Sequence, residues 1–265
     1  MIRLKNAAQL KKMRAAGLIV AEVLEGLRDV VRPGVTTREL DEFAAEVIAS
    51  RGAEPAFKGV RGPSDVPPFP AVICASVNEE LVHGVPSSRV LQEGDIVTVD
   101  VGCKLDGFYG DAARTYPVGR ISAEAERLVE TTRECLEAAI ARCRPGNWLF
   151  DISRAVERLA RSRGYSVVED YVGHGIGRVL HEDPQVPNYV PRGASMRNVV
   201  LRSGMVLAIE PMINEGTHRT YRPRGKWTVR TADGKLCAHF ENTVAILDGG
   251  CAVLTTSEPC SLDEV

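Results

Sequence analysis

The chain has 265 residues, enough for one large domain or two modest ones, and 44% of them are hydrophobic, so a sizeable core is available. With 33 Lys and Arg against 35 Asp and Glu its formal net charge is −2, which leaves no basic footprint for nucleic acid. Seven cysteines without a CxxC pair argue against a disulfide framework or a thiolate zinc site, and for a reducing compartment.

The N-terminal stretch "MIRLKNAAQLKKMRAAG" is charged and helically periodic, with no apolar leader segment. No apolar run approaches the ~20 residues that would cross a bilayer. A cytoplasmic protein with no membrane or nucleic-acid partner is therefore expected. Residues 24–52, "LEGLRDVVRPGVTTRELDEFAAEVIASRG", align without a gap on residues 136–164, "LEAAIARCRPGNWLFDISRAVERLARSRG", at a constant offset of 112. Each copy predicts a helix, an Arg-Pro-Gly break and a second amphipathic helix ended by Arg-Gly. Two copies at so long a period indicate a duplicated half-domain rather than a solenoid.

Strand-like runs follow each helix pair. After the first come "FPAVICASV", "IVTVDVGC" and "GFYGDAARTYPV". After the second come "YSVVEDYVG", "GMVLAIEPMI", "WTVRTADGKLCAHFENTVAIL" and "AVLTT". Helix pairs alternating with hairpin-linked strands predict an α+β fold, with antiparallel sheets carrying helices on their outer face. Residues 62–70, "GPSDVPPFP", are a proline-rich loop, and residues 182–191 are expected to be irregular because three prolines interrupt them. The expected organisation is one domain over 1–265, with halves of about 1–120 and 121–256 and a flexible tail over 257–265.

"DVGCKLDGFYGD" begins and ends on aspartate, and the first lies inside an apolar run. "KLDG" signals a hairpin turn. With Leu105 and Asp106 as the loop, Asp100 faces Asp111 directly; with Asp106 and Gly107 it lies one diagonal away. Both registers put the carboxylates on one face, about 4.5–8 Å apart. Glu210 closes the apolar run "GMVLAIEP", and Glu241 lies in "AHFENTVAIL". A lone buried carboxylate is costly and would shift its pKa to neutralise. Four in strand contexts read as a ligand set. The five histidines are 83, 174, 181, 218 and 239. Glycines flank His174, allowing close backbone approach and unusual φ. His218 and His239 are expected to be structural, with His239 sharing a sheet face with Glu241 as an outer group at most. Four carboxylates with one imidazole, His174, balance two divalent cations. Such a set favours Mn²⁺, Fe²⁺ or Co²⁺ over a thiolate-type zinc site.

"ICASVNEELVHGVP", "GDIVTVDVG…DGFYGDAARTY", "GHGIGRVLHEDPQVPNY", "MVLAIEPMI" and "FENTVAIL" resemble, in order, the signature blocks of type I methionine aminopeptidases. The resemblance spans about residues 5–255. It implies the pita-bread α+β fold, two halves related by pseudo-twofold symmetry. By motif position it implies metal ligation by Asp100, Asp111, His174, Glu210 and Glu241, with Asp111 and Glu241 bridging two divalent ions, Co²⁺, Mn²⁺ or Fe²⁺, with Zn²⁺ also admissible. It implies removal of the initiator methionine from nascent chains when the second residue is small. Metal-activated water would be the nucleophile, Glu210 the proton shuttle, His181 the donor to the carbonyl oxygen and His83 the contact to the scissile nitrogen. Cys74, Phe69, Leu180 and Trp227 would wall the methionine side chain. A monomer is expected, and a transient ribosome contact is compatible with the activity.

The chain departs from the family pattern in places. The loop before Phe69 is longer than the usual type I connection. Val60 stands where many members have an aromatic residue, Leu180 where many have phenylalanine, and Asn242 where histidine is usual. The 29 positions from His181 to Glu210 leave no room for the type II helical insertion. Two rival readings are a proline-specific peptidase of the same fold, which would usually add a large N-terminal domain, and a non-catalytic binding module, which would lose ligands.

Overall fold

The structure is a computed structural model that describes residues 1–193 and 196–262. Helix α1 (Ala7–Val30) starts on a capping box in which Asn6 and Gln9 satisfy each other's backbone N–H groups. Helix α2 (Thr37–Ser50) starts on another, between Thr36 and Glu39. Helices α3 (Ala123–Ile140) and α4 (Leu149–Ser162) form the second pair. Helices α2 and α4 begin and end at residues exchanged by the 112-residue offset.

The breaks between paired helices match as closely. Gly34 and Gly146, each after a proline, take φ of 92° and 90°, a region open mainly to glycine. Gly34 N–H donates to Leu91 C=O at 2.9 Å, and Gly146 N–H to Leu201 C=O at 3.0 Å. Leu91 and Leu201 return bonds of 2.8 Å to Val35 and Asn147. The duplication legible in the helices therefore continues into the strands, where the offset becomes 110 (201 minus 91).

Four sheets are formed among the described residues, and every pairing is antiparallel. In the first half the strand Ile96–Leu105 lies between Ile73–Val77 and Phe108–Pro117. In the second half Val206–Ile209 lies between Asn242–Leu247 and Gly173–Gly175. One core joins α1 and α2 to the first sheet through Leu24, Leu27, Leu40, Ile48, Val97, Val99 and Val101. A second joins α3 and α4 to the second half through Leu128, Leu136, Leu149, Ile152, Leu207 and Ile209. Burying each such side chain contributes roughly 1.5–3 kcal/mol.

Three sequence expectations are corrected. Residues 182–191 are not wholly irregular: Glu182–Val186 is a strand carrying Pro184. It is the edge strand of its sheet, the position that tolerates a residue with no N–H to donate. "GMVLAIEPMI" forms two strands, Val206–Ile209 and Met212–Asn214, interrupted at Glu210-Pro211. The long run beginning at Trp227 forms three, Val229–Thr231, Cys237–His239 and Asn242–Leu247, with a second interruption at Phe240-Glu241. Of the tail, Ser257 is bonded to Glu25, and the Arg14 guanidinium donates to the carbonyls of Thr256 and Glu258. Residues 263–265 lie outside the described residues.

Candidate metal centre

The "KLDG" hairpin turns on Asp106 and Gly107, which take φ of 49° and 80°. Leu105 pairs Phe108, so Asp111 stands opposite Gly102 and Asp100 opposite Ala113. This is the second of the two predicted registers, with both carboxylates on one face, one diagonal apart. Glu210 and Glu241 occupy the two strand interruptions, where a side chain can turn away from the sheet's alternation. Asp100 and Glu210 are separated by the same 110 positions as Leu91 and Leu201, which marks them as equivalent positions of the two halves.

Backbone bonds lock the two halves together at the acids. Glu241 N–H donates to Ala113 C=O at 2.9 Å. Asp111 N–H donates to Thr243 Oγ1 at 3.1 Å, and that hydroxyl donates back to Asp111 C=O at 2.8 Å. Asn188 Nδ2 donates to Glu210 C=O at 2.9 Å. Arg114 donates to Glu241 C=O at 2.5 Å and to Asn242 Oδ1 at 2.8 Å, so Asn242 serves as a brace on the guanidinium.

His174 lies at the centre of Gly173–Gly175. The flanking glycines are needed for close approach, not for φ. A Cβ at Gly173 would stand 2.4 Å from Ala208 O, and one at Gly175 2.1 Å from Asp183 O. Gly175→Ala should therefore destabilise the fold by about 3 kcal/mol through overpacking against backbone. Urea denaturation would register this as a lower midpoint at unchanged slope.

His174 Nδ1 lies 2.9 Å from Gly175 O, which sets Nδ1 as the protonated nitrogen and leaves Nε2 free. That Nε2 stands 3.7 Å from Glu210 Oε1 and 3.9 Å from Asp111 Oδ2. Ligand atoms of Asp111, His174 and Glu241 all lie within 4.8 Å of one another. Asp111 is 4% exposed and Glu241 2%.

The electrostatics are severe. Burial pushes the Asp100 carboxyl up to about 7. Burial, then Glu241 and Asp100, raise Asp111 well above the carboxylate range. Glu210 is raised by burial and then by Asp100 and Asp111, and Glu241 by burial and then by Glu210 and Asp100. Burial holds His174 down to about 4 and His239 to about 3. Asp100 Oδ1, Asp111 Oδ1 and Glu241 Oε1 are buried with no hydrogen-bond partner. Unpaired buried carboxylate oxygens are rare because each forfeits its hydration. Neutral imidazole beside several oxygens in this state is a donor set suited to divalent cations.

Asp100, His174 and Glu210 line a cleft of about 630 Å³ together with His83, Tyr171, His181, Met212 and His239 among others, with no residue of α1–α4; Asp111 and Glu241 are not part of that lining. His83 takes φ of 59°, uncommon outside glycine, and its ring stacks edge-on to Tyr171 at 5.8 Å. His181 is exposed, with its ring 4.4 Å from that of His174. Phe69 and Cys74 form one apolar cluster packed by Trp227, Val85 and Phe57. Leu180 belongs to the adjoining cluster with Leu10, Met13 and Phe108, and Phe57 packs against both.

Residues 11–248 match the family model for metallopeptidase family M24. The chain is 51% identical over 255 residues to the methionine aminopeptidase of Clostridium perfringens, covering 96% of this chain and 99% of that protein. The chain belongs to metallopeptidase family M24. It is also 48% identical to methionine aminopeptidase 1 of Bacillus subtilis, over 96% of this chain and 99% of that protein. The crystal structure of the Thermotoga maritima methionine aminopeptidase superposes with a TM-score of 0.91 at 46% identity, covering 97% of this chain and all of that one. This M24 metallopeptidase is therefore an enzyme, a hydrolase with the pita-bread fold, and no helix among its described residues is long and apolar enough to cross a membrane.

Sequence reasoning missed several residues that line the cleft of the M24 metallopeptidase, Tyr171, Met212 and Gln185 among them, and undervalued one. Tyr171, Met212 and Gln185 carry no local signal, since each lies in an ordinary strand or loop context. His239 sits deeper than expected, with Nε2 3.9 Å from Glu210 Oε2 and 4.0 Å from Glu241 Oε2, and both ring nitrogens without a partner. Its spacing two positions before Glu241 was the available clue. His218 takes no part in the cleft lining.

Proposed function

We propose that this chain removes the initiator methionine from nascent proteins whose second residue is small, using two divalent ions held by Asp100, Asp111, His174, Glu210 and Glu241. It would act as a cytoplasmic monomer, one catalytic domain over residues 1–265, with halves of about 1–120 and 121–256. The observation that carries the reading is the clustering of four carboxylates around one neutral imidazole, Asp100, His174 and Glu210 lining the cleft and the buried Asp111 and Glu241 beside them, with three carboxylate oxygens lacking any donor. Near-full-length likeness to methionine aminopeptidases supports the substrate class.

When bound, the cations would polarise the scissile carbonyl and lower the pKa of water. Asp111 and Glu241 would both help to hold them, their chain segments being fixed to one another by the Glu241 to Ala113 and Asp111 to Thr243 hydrogen bonds. Glu210, at the cleft wall with its side chain 14% exposed, would accept the proton of the attacking water and deliver it to the departing amine. His181, at the cleft mouth, would donate to the carbonyl oxygen as charge grows there. Burial, then the proximity of His181, holds His83 to about 4, so it meets the scissile amide as a neutral ring. Cys74, Phe69 and Trp227 would take the methionine side chain, with Leu180 supporting through Phe57. The free α-amine would lie against the carboxylates, confining action to N-termini.

The test is metal-stripped protein reloaded separately with Mn²⁺, Fe²⁺, Co²⁺ and Zn²⁺, assayed on Met-Ala-Ser, Met-Leu-Ser and an X-Pro peptide. Cleavage of the first alone, with two ions per chain by elemental analysis, is expected. Cleavage of the X-Pro peptide would favour the proline-specific rival. Retained metal without cleavage of any peptide would favour a binding module.

A further inference from the structure

The proline-rich loop is closed at its base by two backbone bonds, Gly59 N–H to Phe69 C=O and Phe69 N–H to Val60 C=O, both 2.8 Å. From its tip Asp65 reaches a second loop, 157 positions and more along the chain. Its Oδ1 accepts from Arg222 Nη2 at 2.8 Å and its Oδ2 from Gly225 N–H at 2.9 Å. Arg222 Nη1 donates onward to Lys226 C=O at 2.7 Å, so the guanidinium braces the second loop from within. The next residue is Trp227. Its Nε1–H donates to Pro67 C=O at 2.8 Å, back to the first loop. The indole then stands edge-on to Phe69 at 5.3 Å and 90°, with its centroid 6.3 Å from that of His83. Gly62 lies beneath the ring, where an added Cβ would stand 2.2 Å from the indole Cη2.

The loop that exceeds the usual type I length is thus tied to the ring that meets both Phe69 and His83. We propose that Asp65 is a positioning residue: by latching the two loops it fixes the Trp227 indole and so sets which N-terminal side chain the enzyme accepts. The inference rests on the aminopeptidase reading, in which Trp227 walls the methionine side chain.

The physical case is one of connectivity. Both oxygens of Asp65 are engaged, one in a charge-assisted bond and one with a backbone N–H, and each partner belongs to the Trp227 loop. Asp65 and Arg222 are 29% and 26% exposed, so solvent weakens the pair without dissolving it. Gly225 and Arg222 together hold the Asp65 carboxyl below its usual range. A pocket for an unbranched side chain discriminates by close contact, and a wall free to move loses that discrimination. The latch bonds include none of the five proposed metal ligands, so a cut latch should spare the Glu210 proton transfers and act through the ring that meets Phe69 and His83.

Asp65→Ala is expected to lower kcat/KM on Met-Ala-Ser about tenfold, mostly through KM, and to reduce the preference for Met-Ala-Ser over Leu-Ala-Ser. Asp65→Asn, which keeps an acceptor for Gly225, should restore most of that preference. The protein has two tryptophans, so in a Trp148→Phe background the emission reports Trp227 alone. There Asp65→Ala should shift the emission to the red and increase acrylamide quenching. Unaltered quenching overturns the latch, whether or not the enzyme cleaves the peptide. Altered quenching with an unaltered Met-over-Leu preference overturns the specificity role. Failure of the wild-type protein to cleave Met-Ala-Ser would sink the aminopeptidase reading, while quenching would still decide the latch.

Discussion

Replacing Glu210 with alanine should reduce turnover of Met-Ala-Ser by at least about 10³-fold while leaving the protein folded. The carboxyl sits at a strand interruption, with its backbone carbonyl held by Asn188, so the side chain can be removed without breaking a ladder. Glu210→Gln separates two contributions. It keeps an oxygen able to ligate and loses the site that exchanges a proton, so metal content should remain closer to wild type than activity does. Removing one of four clustered buried acids also lessens their mutual repulsion, since Asp100 and Asp111 already press the Glu210 pKa upward. The metal-free Glu210→Gln protein should accordingly resist urea better than metal-free wild type at pH 8. Turnover at wild-type rate in Glu210→Ala would remove the proton shuttle from the mechanism.

Stripping metal should make stability fall as pH rises from about 6.5 to 8, which is unusual for a globular protein. A buried carboxyl with a raised folded pKa stabilises the fold below its unfolded value, and that contribution is lost as pH climbs towards the folded one. Asp100 is raised from 3.8 to about 7, and Asp111, Glu210 and Glu241 are raised well above their ordinary values. The histidines act in the opposite sense. His83 and His174 are lowered to about 4 and His239 to about 3, so they cost stability as pH falls below ~6.5. Between pH 4 and 6.5 the two trends oppose each other. Above ~6.5 only the acids act, each by up to about 1.4 kcal/mol per pH unit while it stays protonated in the fold alone. A net loss of about 3 kcal/mol by pH 8 is expected from urea curves taken in excess chelator. Adding Mn²⁺ should reverse the slope, because cations displace those protons and bind more tightly as pH rises. A metal-free stability that is flat or rising across that window would mean that the four acids do not share one buried centre.

Much of the site was legible because a charged group inside a buried run is conspicuous. Asp100 between Val99 and Val101, and Glu210 after "VLAI", each break a pattern that is otherwise uniformly apolar. The helix duplication was legible for a similar reason, since Pro-Gly stops and amphipathic periods are local signals. The strand interruptions were harder. Pro211 hinted at one, but "HFENTV" carries no proline or glycine at Glu241 to mark a break and reads as continuous strand. Pro184 misled in the other direction, because a proline is excluded from a central strand and tolerated on an edge, and edge status belongs to the whole sheet.

The sequence by itself determined that this chain has two similar halves, that each contributes acids unable to remain buried alone, and that the fold is α+β. Local composition suffices for these, because burial, turn chemistry and helix periodicity act over a few residues. Only the tertiary structure decided that Asp106-Gly107 forms the turn, that the His239 ring enters the cleft, and that Asp65 reaches Trp227 across the molecule. The last of these depends on contacts between residues 157 and 160 positions apart. Such contacts are selected by packing of the assembled core and leave no periodic trace in either partner's own neighbourhood.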